Sequence, residues 1–224
     1  MQGPCAPPGV GYPAPVETAA TPETIDFDGL AITFDDRLLR PRSWTAAQSR
    51  WAAELLPDLP GGPVLELCAG AGQIGLLAVA ASERRLVCVD IDPVSASYTV
   101  QNARAAGLAD RVQTRTGPIE SVLEEAEQFP LVIADPPWVP RADTDRFPED
   151  PLRAIDGGED GMRVIRLCVT AIVEHLAPYG VALLQLGTPA QAEAVGGLLT
   201  GSDVGLGELR EHGERGVLLR LDRS

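Results

Sequence analysis

Residues 64–80 read VLELCAGAGQIGLLAVA. An apolar run interrupted by one acid, Glu66, leads into glycines at Gly70, Gly72 and Gly75, and small apolar residues carry on beyond them. This predicts a buried strand over 64–70, a tight glycine turn and a packed helix, the first half of a strand–helix–strand unit. A strand so continuously apolar needs cover on both faces, as in a parallel sheet.

The unit recurs downstream. RLVCVDID (85–92) reads as a second strand, and PVSASYTVQNARAAG as a helix with Pro93 at its start and Gly107 at its end. A weaker strand at 111–116, a short helix near 120–127 and the strong strand PLVIAD (130–135) follow. The last third predicts a helix from about Gly161 to Leu176, the turn APYG, the strand VALLQLG and a helix around 191–199. GELREHG and ERGVLLRL are then expected to pair as a terminal hairpin. Alternating strands and helices argue for an α/β domain.

Upstream, Trp44, Ala47, Trp51, Ala52, Leu55 and Leu56 recur at helical spacing, with Ser43 as the expected N-cap and Pro57 as the stop. Residues 1–24 hold six prolines and three glycines with few large apolar side chains, so a flexible tail is expected there and one domain over 25–224. The chain has 224 residues, 45% apolar and 22% charged, a globular profile.

Arginine supplies all 18 basic side chains against 32 acids, a formal net charge of −14. Such a surface repels polyphosphates and disfavours extended nucleic-acid binding. Cys5, Cys68, Cys88 and Cys168 form no C-x-x-C pair, and His175 and His212 stand apart, so reduced thiols and no metal site are expected. No apolar run approaches the roughly 20 residues of a membrane span. The N-terminus lacks a signal-peptide pattern, so a cytoplasmic location is expected.

Gly70, Gly72 and Gly75 spell G-x-G-x-x-G between strand and helix, and Asp90 ends the next strand. That pattern fits a nicotinamide dinucleotide as well as another adenosyl ligand: glycines admit the ligand to the backbone, and the acid accepts from ribose hydroxyls. Two features favour S-adenosylmethionine. Glu66, just before the loop, suits a cationic ammonium and sits poorly against a pyrophosphate. The second is LVIADPPW (131–138) at the end of the fourth strand, where open sheets place their chemistry.

In that segment each proline fixes its own φ and removes a donor, and the residue before a proline is held extended. Asp135 and the Pro136 carbonyl are thus offered as acceptors in a rigid loop, suited to a planar NH2 group, with Pro137 continuing the restraint. Trp138 presents a flat π-face to a substrate plane or a nearby sulfonium.

With these residues in view the chain resembles the class I S-adenosylmethionine-dependent methyltransferases bearing an (N/D)-P-P-(Y/F/W) motif. Among them it is most like the HemK-type enzymes, which methylate a glutamine amide of peptide-release factors. Their P-R-P-x-T pattern is matched by Pro41, Arg42, Ser43, Trp44 and Thr45, with Ser43 in place of the second proline, and their D-L-x-x-G-x-G by Glu66, Leu67, Gly70 and Gly72. The pattern that follows their N-P-P-Y is matched by Asp150, Pro151, Ala154, Ile155, Gly157, Gly158, Asp160, Gly161 and Met162, and a closing pattern by Leu186 and residues 191–195.

The resemblance implies a seven-stranded, doubly wound Rossmann-like methyltransferase sheet with a terminal antiparallel hairpin. It implies S-adenosylmethionine held by Thr45, Glu66, Cys68, Gly70, Gly72, Asp90, Ile91, Gly117, Pro118, Ile119 and Asp135, and catalysis at Asp135, Pro136, Pro137 and Trp138. Three departures bear on the acceptor and the site. Asp135 and Trp138 stand where the glutamine methyltransferases have Asn and Tyr, Pro118 stands where many relatives have an acid, and only about forty residues precede Pro41 where a helical recognition domain is usual. The expected acceptor is therefore a protein, a peptide or a small molecule. A nucleobase methyltransferase, a silent binding protein of the same fold and a nicotinamide oxidoreductase are the competing classes.

Overall fold

A computed structural model describes residues 21–211, 213 and 216–224. Residues 1–20, Cys5 among them, and His212 lie outside it. The chain enters as a hairpin, β1 (Glu23–Phe27) and β2 (Leu30–Phe34), joined by Asp28 and Gly29 at φ +55° and +89°. Asp-Gly with both residues left-handed is the turn whose twist matches paired strands. The strand begins at Glu23, two residues inside the expected tail.

A 3-10 turn (Ser43–Thr45) leads into α1 (Ala46–Leu55). Ser43 does not cap this helix; Thr45 stands at the cap, its hydroxyl donating to the Arg42 carbonyl at 2.8 Å. Then follow β3 (Val64–Leu67), α2 (Gln73–Val79), β4 (Leu86–Asp90), α3 (Pro93–Ala105), β5 (Val112–Thr116), α4 (Ile119–Val122) and β6 (Phe129–Ala134). After β6 come α5 (Leu152–Ile155), α6 (Arg163–His175), β7 (Leu176–Leu186), α7 (Pro189–Leu198), β8 (Val204–Glu211) and β9 (Val217–Arg223).

The strands from β3 onward make one seven-stranded sheet in the order β5-β4-β3-β6-β7-β9-β8, parallel from β5 to β7 and antiparallel at β9 and β8. The APYG segment is not a free turn. It forms a bulge inside β7, with Leu176 opposite Phe129, Val181 opposite Leu131 and Tyr179 at φ +59°. α4 is one turn long and ends at Val122, short of the expected 127, because Leu123 is already extended.

Two apolar cores flank the sheet. One gathers Val64, Cys88, Leu131, Ile133 and Leu183 under α1, α2, α3 and the hairpin; the other gathers Leu65, Leu67, Val89, Val132 and Leu184 under α6 and α7. Alternate strand residues thus serve opposite layers, as the pleat requires. Asn102 of α3 ties the hairpin to the glycine loop: its amide donates to Thr33 O and Ala71 O, both at 2.9 Å, and its carbonyl accepts from Thr33 N at 2.8 Å. Buried Asp35 accepts from Tyr98 of α3 at 2.6 Å, and its hydrogen bonds to Arg37 hold its carboxyl down at about 2.

Candidate active site

The sheet order reverses direction at β3, whose neighbours are β4 on one side and β6 on the other. Open α/β sheets hold ligands outside the carboxyl ends of such strands. Four of the sequence-predicted clusters converge there: residues 68–72 after β3, 90–92 after β4, 117–119 after β5 and 135–138 after β6.

The glycine loop turns sharply, with Cys68, Gly70 and Gly72 at φ +59°, +54° and +78°. Two contacts pin it: Gly70 N donates to Asp90 Oδ2 at 2.8 Å, and Gly72 N to Ala69 O at 2.8 Å. A Cβ at Gly70 would meet nothing within 4 Å, so the loop presents bare backbone to open space. At Gly72 it would come within 2.8 Å of Thr99 Cγ2, so this glycine instead serves the close approach of α3.

Asp90 accepts a second bond from Asp92 N at 2.9 Å, and burial raises its carboxyl pKa. Ile91 beside it is 60% exposed, an apolar surface standing open at the rim. Gly117 N donates to Asp90 O at 3.0 Å, which brings Gly117, Pro118 and Ile119 to that same rim. Arg153 of α5 reaches across to Asp92 at 3.0 Å.

Two expected ligand-binding side chains are placed otherwise. Glu66 does not face open space: it is buried beneath the loop, where Oε1 accepts from Gly75 N at 2.9 Å and Oε2 from the Cys88 thiol at 3.3 Å. As the strand residue between Leu65 and Leu67 it points into the layer under α2, and it shapes the loop from below. Thr45 is likewise buried with its hydroxyl proton given to Arg42 O, so it fixes the Arg42 turn. Cys68 lies half-buried against Cys168 of α6, and that thiol together with burial raises its own pKa. His175 is a buried structural residue, its Nδ1 3.0 Å from Glu127 O.

Asp135 follows directly on β6. Burial pushes its carboxyl up to about 7, and the Arg42 charge opposes that rise. Burial likewise holds Glu66 at about 7, with Asp90 and Asp135 adding to the rise. Glu66 and Asp135, each held at about 7, are ionised in part near neutrality, and with Asp90 they leave the loop acidic in sign. That sign suits a cationic adenosyl compound and opposes a dinucleotide pyrophosphate; with the open face at Gly70 and exposed Ile91, the residues fit S-adenosylmethionine.

The Trp138 indole lies over Gly187, where any Cβ would overlap the ring, and its carbonyl accepts from Gln191 Nε2 at 2.9 Å. Two supporting residues stand out, Gln48, which no motif marks, and Asp150, which the motif match includes without a role. Gln48, fully buried in α1, donates to Ala134 O and Leu183 O at 3.0 Å each, bracing the end of β6 against β7 next to Asp135. Asp150 accepts from Arg42 Nη2 at 2.6 Å and ties the segment after the Asp-Pro-Pro-Trp loop to the start of α1. Gln48 lies three residues after Thr45, one helical turn along the same face, which is the signal that could have found it. Among the described residues no cluster of acids, thiols or histidines is arranged to hold a metal, and no helix is long and apolar enough to cross a membrane.

A seven-stranded sheet with a glycine loop at its switch point, an acid closing the second strand and Asp-Pro-Pro-Trp closing the fourth is the class I methyltransferase fold. The same fold is found in the ribosomal protein L11 methylase of Lactobacillus delbrueckii subsp. bulgaricus, with a TM-score of 0.61 over 84% of this chain and 82% of that one at 13% identity. Residues 37–146 match the family described as "Conserved hypothetical protein 95".

In sequence the chain is similar to release factor glutamine methyltransferases. It is 37% identical over 146 residues to that of Rhodospirillum rubrum, covering 62% of this chain and 44% of the relative. It is 32% identical over 183 residues to that of Geobacter sulfurreducens, covering 79% and 62%. The chain therefore spans 44% and 62% of the lengths of these two curated relatives.

Proposed function

We propose that the protein is an S-adenosylmethionine-dependent N-methyltransferase acting on a planar amide nitrogen of a protein or peptide. The observation that carries this is Asp135–Trp138 at the end of β6, alongside the glycine loop at the end of β3, its direct parallel neighbour. The backbone at Gly70, the Asp90 carboxylate, the Ile91 side chain and the 117–119 backbone would hold the donor. When bound, the donor supplies an electrophilic methyl on a sulfonium.

The chain's own residues then orient the acceptor. The Asp135 carboxylate and the Pro136 carbonyl accept the two N–H bonds of the amide, turning its nitrogen toward the methyl and stabilising the charge that develops on it. Asp135 also takes up a proton released there, since a group poised near neutrality suits that transfer. A protein acceptor is supported by the names of the sequence relatives, each a glutamine methyltransferase of release factor. A nucleobase acceptor is opposed by the net charge of −14.

The test offers methyl-labelled donor with release-factor and ribosomal-protein substrates to the wild type and to Asp135→Ala. Transfer in the variant is expected to fall by roughly 100-fold, with donor binding by calorimetry falling far less. Equal transfer by a folded Asp135→Ala protein would remove the assignment.

A further inference from the structure

A groove of about 500 Å³ opens beside the Asp-Pro-Pro-Trp loop, with Trp138, Pro140, Phe147 and Met162 among its walls and Asp143 and Arg146 at its rim. We propose that it seats an apolar side chain of the acceptor polypeptide, and that the acidic segment around it selects acceptors carrying arginine or lysine next to the methylated residue. This rests on the methyltransferase reading above and goes on to define the partner's chemistry.

Trp138 joins groove and reaction centre. It follows Asp135 by three residues through two prolines, so the chain places them within about 10 Å of one another. One face of its indole is spent on Gly187, and the ring forms groove wall. An acceptor whose amide lies on Asp135 therefore has its flanking residues beside this apolar surface.

Charge defines what flanks them. In the segment from residue 141 to 160, Arg141 pairs with Asp156, Arg153 with Asp92, Asp150 with Arg42 and Asp160 with Arg166. Exposed Asp143, Asp145, Glu149 and Glu159 enter no ion pair among the described residues, and on the basic side exposed Arg146 and, just beyond the segment, Arg163 are left over, the latter donating to Asp156 O at 3.2 Å. Four carboxylates against two guanidinium groups leave a local surplus of −2, on a chain already at −14. Complementary potential of this kind selects partners and speeds their encounter more than it adds raw affinity.

The experiment measures fluorescence anisotropy of short labelled peptides on the full chain saturated with the demethylated donor product, whose own binding is first titrated by calorimetry. Each peptide has a central glutamine beside a leucine, flanked by arginine, by serine or by glutamate; an oligouridylate of equal length is the fourth probe. The arginine peptide is expected to bind about tenfold more tightly than the glutamate peptide at low salt. In Asp143→Asn/Glu149→Gln that preference is expected to fall below about threefold. Trp138→Ala is expected to weaken all three peptides. Equal binding of the arginine and glutamate peptides, a preference that survives neutralisation, tighter binding of the oligouridylate, or no peptide binding while the donor product binds would each overturn the proposal. Loss of donor-product binding itself would instead sink the methyltransferase reading.

Discussion

Replacing Glu66 by Gln tests the electrostatics beneath the glycine loop. The wild-type carboxyl is 2% exposed and held at about 7, against 4.5 for a free glutamate, chiefly by burial. Its pKa is raised in the folded state, so the stability tied to its protonated form is complete below about pH 4.5 and is lost as the pH climbs through about 7. At about 1.4 kcal/mol per pH unit the full displacement amounts to roughly 3 kcal/mol. Glutamine keeps the carbonyl that accepts from Gly75 N, and its amide can donate to the Cys88 sulfur, so the packing survives while the ionisable group goes. Urea unfolding of both proteins at pH 5 and pH 8 reads the difference. Relative to wild type, Glu66→Gln should gain about 2–3 kcal/mol between those two conditions. A stability difference equal at both pH values would mean that Glu66 is already ionised under the loop, and the account of its burial would be wrong.

Two further expectations concern the reaction centre. Methyl transfer should rise with pH through about 7 as Asp135 ionises into a full acceptor. Asp135→Asn should flatten that limb, and Arg42→Met, which removes the opposing charge, should move it upward; a profile unchanged in both variants refutes the assignment. Gly187→Ala places a methyl into the space of the Trp138 ring. The acceptor KM should rise by roughly tenfold with donor affinity intact, and an unchanged KM would show that the indole forms no part of the acceptor wall.

Much of the fold was legible because a parallel sheet is written in short apolar runs. β3, β4 and β6 are buried along nearly their whole length, and periodicity finds such strands. The hairpin at Glu23–Phe34 carries a direct turn signal, Asp28–Gly29 between two β-rich runs, but the proline-rich stretch before it masks where the first strand begins. The closing hairpin is legible as a pair, but the pattern does not say which member meets β7. Burial explains the choice: Val217–Leu221 of β9 is nearly all buried, while β8 is exposed at most positions, so β9 takes the inner place and β8 the edge.

The site was legible by residue type and less so by direction. Sequence puts Glu66 before the glycines and invites a ligand contact, yet the pleat sends it to the side opposite Leu65 and Leu67, under α2. There it meets Gly75, where any added Cβ would overlap the Glu66 carboxylate. The third glycine and the strand acid are therefore one structural device: the glycine leaves room for the acid, and the acid holds the helix by its Gly75 N–H. Of the three glycines in the motif only Gly70 opens toward free space, so the spacing alone cannot separate a dinucleotide from a sulfonium donor. What separates them is a property of the assembled site, the field of Glu66, Asp90 and Asp135 around one loop, and it exists only once three strands that are distant in sequence lie side by side.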